Sequence, residues 1–550
     1  MKFMKHMLVL AIALCATASV SRAQATIQFL GGGSSALFLE LGQAAQSSAS
    51  TSTPCVWTQK SAASVLARDD RTSPTTDEQG NIWITWGHGT GTCAAPAGAF
   101  NVYSYMQLDS VVGDKCYFLV SSTGASGCIQ ILTVAAGTAG ANLLGTGFGP
   151  DTAIPAAVIS AVNGQRYFVI GTDIRPEDAK FASKRMFTTC GTALTREPFQ
   201  STTYSTAGLG YQTSTTGVGT PVKSFFSTKK FNVIDFNIGG SDPITGKAVR
   251  AYNVTTVGAQ PIVVAVSPVP AGGTSIGAAT DINAETLAEF MDGTTGSTTD
   301  LQGPTTAAGV TVLLREPLSG TYNTIEYSIP NSVEFRTSED ANNCLGTVVN
   351  SNPLDLASAS GKVAGAARKR VIGTGEMVAE LQAASTPSLG YFFWSAGNAA
   401  AFTATNGKYL TVNGVDPIAN SYSVTNGVFP TSAAGTLANV TFKNLAAGDY
   451  AIWSALRLVS TTPTPAGVTN LVNGAQTLNS TQHDFVTLAS LKIWHSHFTI
   501  NSVGVSTAAN GLCSAKEAGG DAGGATIQGN KDRDYCTDFG VTTGILNKNN

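Results

Sequence analysis

The run Gln260 to Pro268, QPIVVAVSP, is apolar on both of its alternating faces. A strand of that kind needs its sheet covered on both sides, and helices supply such cover. The chain must therefore contain helices able to sandwich a sheet, which excludes a plain β-sandwich and points to mixed α/β. Other short runs rich in Val, Thr, Ile and Phe read as strands: NIWITWG, KCYFLVSS, RYFVIG, NVIDFNI, VTVLLRE, LGYFFWS, DYAIWSALRLVS and VTLASLKIW. Gly, Pro, Ser or Asn separates them. Helical periodicity is rarer and falls at Ala36–Ala49, Pro176–Phe187, Asn283–Met291, Tyr322–Ile329 and Glu376–Ala383, so strands and helices alternate in the middle of the chain. No repeat of 20 to 50 residues occurs.

At 550 residues the chain has room for three or four domains of about 150 residues. Charged residues are 12% and hydrophobics 43%, against about 25% charged in an average protein, which excludes a disordered or coiled-coil chain. The net charge is −3, and no basic run is interleaved with aromatics, which argues against a nucleic-acid partner.

The opening stretch carries Lys2 and Lys5, an apolar core from Met7 to Cys15, and a small-residue exit ending at Ala23, Gln24 and Ala25. It reads as a secretory signal over residues 1–25, cleaved near Ala25, and predicts a periplasmic or extracellular protein. No later apolar run reaches the length of a membrane span. Of nine Cys, Cys15 leaves with this leader. The rest form an even set in an exported chain, which favours disulfides. Local pairing predicts Cys55 with Cys93, Cys116 with Cys128 and Cys513 with Cys536, leaving Cys190 with Cys344. No Cys-x-x-Cys occurs, so a zinc ribbon is not expected.

Three strand ends carry the chemistry. In TIQFLGGGSSALFLELGQAAQ a strand meets three glycines, and Ser34 and Ser35 stand at a helix start. In RYFVIGTDIRPEDAKFA, Thr172 and Asp173 follow the strand, and in VTVLLREPLSGTYNTIEYSI, Arg315 closes a strand before Ser319, Gly320 and Thr321 open a helix. Each hydroxyl or carboxylate can serve as an ordinary N-cap. Together they also make an oxyanion site. Helix N-termini offer unpaired N–H groups and partial positive charge, glycine admits close approach, and Arg supplies a two-pronged donor.

GGGSS, GTD and R-x-x-x-SGT, in that order, resemble the ligand loops of the periplasmic phosphate-binding proteins of phosphate ABC transporters, in the type II periplasmic-binding-protein superfamily. The segments ETLAEFMDGTTGSTTDL and LGYFFWSAGN add to the likeness, which covers residues 26–50 and 165–420. The resemblance implies a two-lobed α/β fold with extra β-rich, disulfide-bonded elaborations. It implies that Ser34 and Ser35 donate to the anion, and that Asp173, following Thr172, accepts a proton-bearing phosphate oxygen. Arg315, Ser319, Gly320 and Thr321 would grip it from the opposite lobe. The family often has Ser where Thr172 stands, and an Asp after the Arg that steadies the guanidinium; this chain has Glu316 and Pro317 there.

The implied division is a first lobe over 26–258, with a β-rich insertion at about 51–164, a second over 259–394, and a return to the first over 395–550 with a C-terminal β-rich extension. The expected function is capture of phosphate or a related oxyanion for ABC-type uptake, with a membrane transporter component as a possible partner, no cofactor, no metal and no catalysis. The alternatives are an extracellular structural or surface-assembly protein reusing the fold, and a secreted phosphatase on the same scaffold.

Several other patterns read as structure. GTSIG around Ser275 matches a nucleophile elbow but lacks a strand running into it. GSDPITGKA has phosphate-loop flavour, but Ala248 replaces the Ser or Thr that would meet magnesium. His495 and His497 share a strand face without an evident third ligand. Trp83 and Trp86 are three apart, so they fall on opposite strand faces with separate packing roles.

Overall fold

The structure, a computed structural model, describes residues 24–48, 54–69, 76–118, 127–145, 148, 150–174, 252–268, 276–293, 295–315, 319–329, 354–356, 363–371, 373–402, 407–419, 427–430, 437–450 and 452–487. Strand β1 (Gln24–Gly33) runs through a short 3-10 turn into helix α1 (Phe38–Ser48). Then come β2 (Cys55–Gln59), β3 (Val65–Asp69), β4 (Thr76–Gln79), β5 (Ile82–Trp86), β6 (Ala99–Gln107), α2 (Ser110–Phe118), β7 (Ile129–Leu132), α3 (Ala156–Val162) and β8 (Val169–Thr172). The next segment supplies β9 (Asn253–Val266), β10 (Asp281–Ile282), α4 (Ala284–Asp292), β11 (Thr311–Arg315), α5 (Gly320–Ser328), β12 (Leu354–Leu356), β13 (Ala367–Val371), α6 (Gly373–Ala383) and β14 (Ser388–Phe393). Last are α7 (Ala396–Phe402), β15 (Lys408–Tyr409), β16 (Thr411–Val412), α8 (Lys443–Ala447), β17 (Trp453–Ser460) and α9 (Ala466–Gln482).

The main sheet has the order β12-β13-β11-β14-β9-β17-β8-β1-β6-β5-β2, with β15 paired to β9. Two parallel cores lie within it: β13, β11 and β14 on one side, and β8, β1 and β6 on the other. Antiparallel β9 and β17 join them. The pairing is offset along β9. Residues Ile262–Val266 pair with β14, whereas Asn253–Pro261 pair with β17, whose far end, Arg457–Ser460, pairs with β8. Between Val257 and Pro261 the sheet that joins the two halves narrows, among the described residues, to β9 and β17 with Val486 bridged to Ala259, and the protein is a two-lobed α/β molecule.

β9 shows why the apolar run dictates this. Val257 through Val266 are all buried. Alternate residues enter different cores: Ala259, Val263 and Ala265 join one cluster, and Ile262, Val264 and Val266 join another. Both faces are covered, as the alternation required. Trp83 and Trp86 likewise enter separate clusters. Both locally expected disulfides among the described residues form, Cys55–Cys93 and Cys116–Cys128.

The segment KCYFLVSS corrects the strand expected there, because Lys115–Phe118 is the last turn of α2. Every residue of α2 is buried, Asp114 and Lys115 included, so the helix has no solvent-facing side, and a short buried segment of this kind cannot be told from a strand by period. Helix α9 was not expected either. Its buried residues Val468, Leu471, Val472 and Ala475 keep helical spacing and pack in the cluster that holds α1.

Residues 1–23 lie outside the described part, as do the expected helix at Pro176–Phe187, the strand NVIDFNI, most of VTLASLKIW, Glu316, Pro317, Cys190, Cys344, Cys513, Cys536, His495 and His497. Gln24 and Ala25 are strand residues of β1, in register with Ala99 and Phe100. No helix among the described residues is long and apolar enough to cross a membrane.

Candidate functional site

In open parallel sheets, loops at the carboxyl ends of strands form the ligand crevice. The ends of β1, β6 and β8 from one lobe and of β11 and β13 from the other supply the contacts described here. At the end of β1, Gly33 has φ 140°, and a Cβ there would fall 2.1 Å from the Gly171 carbonyl oxygen, so only glycine fits beside β8. The next residue, Ser34, donates its N–H to Gly171 O at 2.8 Å. Its Oγ accepts the Ala36 N–H at 3.1 Å, and its carbonyl accepts the Tyr105 hydroxyl at 2.7 Å. The turn that presents Ser35 is therefore held from three sides.

Arg315, the last residue of β11, is 1% exposed. Its backbone N–H donates to the Tyr391 hydroxyl at 3.2 Å. Nη1 donates to Thr321 Oγ1 at 3.3 Å and Thr374 Oγ1 at 3.1 Å, and Nη2 reaches Ser35 Oγ at 3.5 Å. Ser35 Oγ also lies 3.2 Å from Thr374 Oγ1. The counter-charge is Asp109, whose Oδ1 stands 3.8 Å from Nη2. Ser35 and Asp109 come from one lobe, Thr321 and Thr374 from the other, so the guanidinium is clasped by both.

Asp173 follows β8 and is also 1% exposed. Ser110, the first residue of α2, donates its hydroxyl to Asp173 Oδ1, and Ser454 donates to the Asp173 carbonyl. Across the cleft, α5 begins with Ser319 as N-cap, its Oγ accepting the Tyr322 N–H at 3.3 Å. Gly320 then meets Asp173 directly: a Cβ at 320 would lie 1.4 Å from Asp173 Oδ1 and 2.5 Å from Ser110 Oγ. The acid thus sits before the positive end of α5. Burial raises the Asp173 carboxyl above its ordinary range, opposed by the Ser110 hydroxyl, a backbone N–H, the Arg315 charge and the Ser34 hydroxyl.

The structure brings Ser34, Ser35, Asp173, Arg315, Ser319, Gly320 and Thr321 to this one cleft. Thr172 turns away from it. Its Oγ1 donates to the Ile174 carbonyl at 2.8 Å and stands 3.5 Å from Asp114 Oδ2, inside the first lobe.

Sequence reasoning missed Asp109, Ser110 and Thr374. Each stands just past a parallel strand at or before a helix start, in MQLDSVVG and VIGTGE, the same strand, polar loop, helix order as the junctions it found. The first was hidden because α2 reads as a strand, so no helix start was visible at Ser110. Among the described residues, no group of three or more His, Cys, Asp and Glu is placed to hold a metal ion. What the cleft offers is one buried guanidinium, several hydroxyls, a helix N-terminus and two carboxylates, a donor set matched to an oxyanion that carries a proton.

No family model and no curated protein matches the chain. Among the solved structures that match the chain, each at a low TM-score, are phosphate-binding proteins. PstS from Borrelia burgdorferi is 19% identical with a TM-score of 0.24, over 40% of this chain and 65% of its own, just under two thirds of its length. An ABC-type phosphate transport receptor from Vibrio cholerae is 13% identical with a TM-score of 0.25, over 42% of this chain and 70% of its own. An ancestral soluble variant of the human phosphate-binding protein is 13% identical with a TM-score of 0.34, over 85% of this chain and 95% of its own. At scores this low the functional reading rests on the geometry of the cleft.

Proposed function

We propose that this chain is an exported solute-binding protein that captures hydrogen phosphate, or a related protonated oxyanion, between its two lobes and delivers it to an ABC-type membrane component. The observation that carries the reading is the meeting of buried Arg315 and buried Asp173 from opposite lobes, each beside hydroxyls and the start of α5. A neutral ligand would bring no charge to meet the guanidinium, and a fully deprotonated one would face two carboxylates without a proton to offer.

In this reading Arg315, Ser35, Thr321 and the first N–H groups of α5 donate to the anion, and Asp173 accepts its proton. Thr374 and Asp109 steady the guanidinium. Burial makes the charged contacts strong, because no water competes for them. The Asp173 carboxylate discriminates. Hydrogen phosphate gives it a hydrogen bond, whereas sulfate presents only a lone pair to a negative oxygen. The lobes would correspond to the half built around β8, β1 and β6 and the half built around β13, β11 and β14, with β9 and β17 as the connection. A periplasmic or extracellular location fits the disulfides Cys55–Cys93 and Cys116–Cys128.

Phosphate-dependent thermal unfolding tests this directly. A ligand at about a hundred times its Kd stabilises by about 2.7 kcal/mol, so phosphate is expected to raise Tm by several degrees and sulfate far less. No shift with either anion would overturn the reading and leave the fold as one kept for surface assembly.

A further inference from the structure

The link between the lobes contains a second acidic feature that the anion cleft does not use. Gln260, on the segment of β9 that pairs with β17 and, at the neighbouring Ala259, with Val486, is fully buried. Its Nε2 donates to Glu40 Oε1 at 2.7 Å and to the Asp484 carbonyl at 3.1 Å. Glu40 comes from α1 in the first lobe. Asp484 follows α9, and its Oδ1 accepts the Ala396 N–H at 2.6 Å from the start of α7, just beyond β14 of the second lobe. Glu40 and Asp484 are 2% and 4% exposed. Glu40 Oε2 and Gln260 Oε1, both buried, have no hydrogen-bond partner among the described residues.

We propose that Glu40 and Asp484 form a proton-binding site in this link, and that losing its proton loosens the closed arrangement of the lobes. Two carboxyls buried on either side of Gln260 cannot both ionise without a large electrostatic cost, so the pair is expected to hold one proton. The groups facing the pair are Gln260 from β9, the Ala396 N–H from α7, Asn479 from α9, whose Oδ1 accepts the Asp484 N–H at 2.7 Å, and Tyr105 from β6. His483 precedes Asp484, and its carbonyl accepts the Trp394 indole N–H. None of these brings a compensating cation to the carboxyls; only hydrogen bonds from Gln260 and Ala396 offset their burial.

Burial raises both groups, and the charge of Asp484 raises Glu40 further; Asp484 is pushed up to about 7. Folded values above unfolded ones mean stability present at acid pH and lost as pH rises through about 7. The second negative charge then needs water, which can enter only by parting α1 and β9 from the segments holding Asp484 and Ala396. Tyr105 links this site to the anion cleft: its hydroxyl donates to the Ser34 carbonyl, and both Asp173 and Glu40 act on it.

The coupling to closure rests on the two-lobed capture reading; the proton site itself does not. The test is the Tm and the X-ray scattering radius of the full, phosphate-free protein from about pH 5.5 to about pH 8.5, for the unmutated chain and Glu40→Gln. Expected is a Tm fall of about 4 °C or more with a larger radius at alkaline pH, flattened in Glu40→Gln. Equal slopes in the unmutated chain and Glu40→Gln overturn the proposal. If Glu40→Gln does not fold, carbon-13 NMR of the carboxyls in the unmutated chain decides: a midpoint near 7 for Asp484 supports the site, and an ordinary carboxylate midpoint rejects it. Phosphate binding with a flat pH profile would sink the switch but not the capture reading. A steep profile with no phosphate binding would do the reverse.

Discussion

The Asp173 carboxylate lies against the backbone of Gly320 so closely that a β-carbon at 320 would stand 1.4 Å from Oδ1. One residue follows β8 in the first lobe and the other opens α5 in the second, so their contact reports closure. Gly320→Ala is expected to fold, since position 320 begins a helix with ordinary backbone angles, yet to hold the lobes apart. Phosphate affinity should fall about tenfold or more, which is about 1.4 kcal/mol, with Tm of the empty protein little changed. Calorimetric titration beside a melting curve checks both halves.

Asp109 is the counter-charge of Arg315 at 3.8 Å, supplied from the other lobe. With no anion bound it occupies part of the guanidinium's donor capacity. Asp109→Asn leaves a buried cation short of its partner, so the empty protein should melt lower by a few degrees, about 1 to 3 kcal/mol. Phosphate should then restore more stability than it adds to the unmutated chain. Paired melting curves with and without phosphate measure the difference.

The disulfide Cys116–Cys128 ties α2, which carries Ser110 at its first turn, to the strand that follows. Removing it with Cys116→Ser and Cys128→Ser should cost about 2 to 4 kcal/mol of stability. Because Ser110 donates to Asp173, the same variant should weaken phosphate binding. Chemical denaturation gives the first quantity and titration the second. Full stability in the double variant would contradict the role given to this crosslink.

Acid should erode selectivity. The Asp173 carboxyl is raised by burial, so it takes up a proton at higher pH than an ordinary carboxylate. Once protonated it donates, and sulfate finds a partner where it met repulsion. Sulfate affinity is expected to rise as pH falls from about 7 to about 5. By the same sign, the stability of the empty protein tied to this group is present at low pH and lost as pH rises through its raised value. An unchanging sulfate affinity over that range would contradict the assignment.

Much of this was legible in the residues, for stated reasons. β9 announced a doubly covered sheet because a run with no polar face has no other stable setting. Gly-Gly-Gly-Ser-Ser and Arg315 with Ser319-Gly320-Thr321 announced helix starts at strand ends because capping and glycine chemistry are local. What stayed hidden was non-local. Helix α2 is buried on every side and so shows no apolar-polar period, and its start at Ser110 could not be seen. Thr172 resembled a cleft residue in sequence, but strand alternation turns its side chain to the opposite face from its neighbour, toward Asp114. Asp109 could be matched to Arg315 only once the offset pairing of β9 had brought the two lobes face to face.

The central claim is that Arg315 binds the anion and Asp173 selects it, and calorimetric titration of phosphate and sulfate into the unmutated protein, Arg315→Ala and Asp173→Asn tests it most directly. The account predicts that phosphate binds well and sulfate poorly to the unmutated chain. Asp173→Asn should narrow that gap by supplying a donor. Arg315→Ala should weaken both anions by about 2 to 5 kcal/mol, as truncating a buried charge partner does. Equal affinities for the two anions in the unmutated protein would contradict the role of Asp173, and undiminished binding in Arg315→Ala would contradict the site itself.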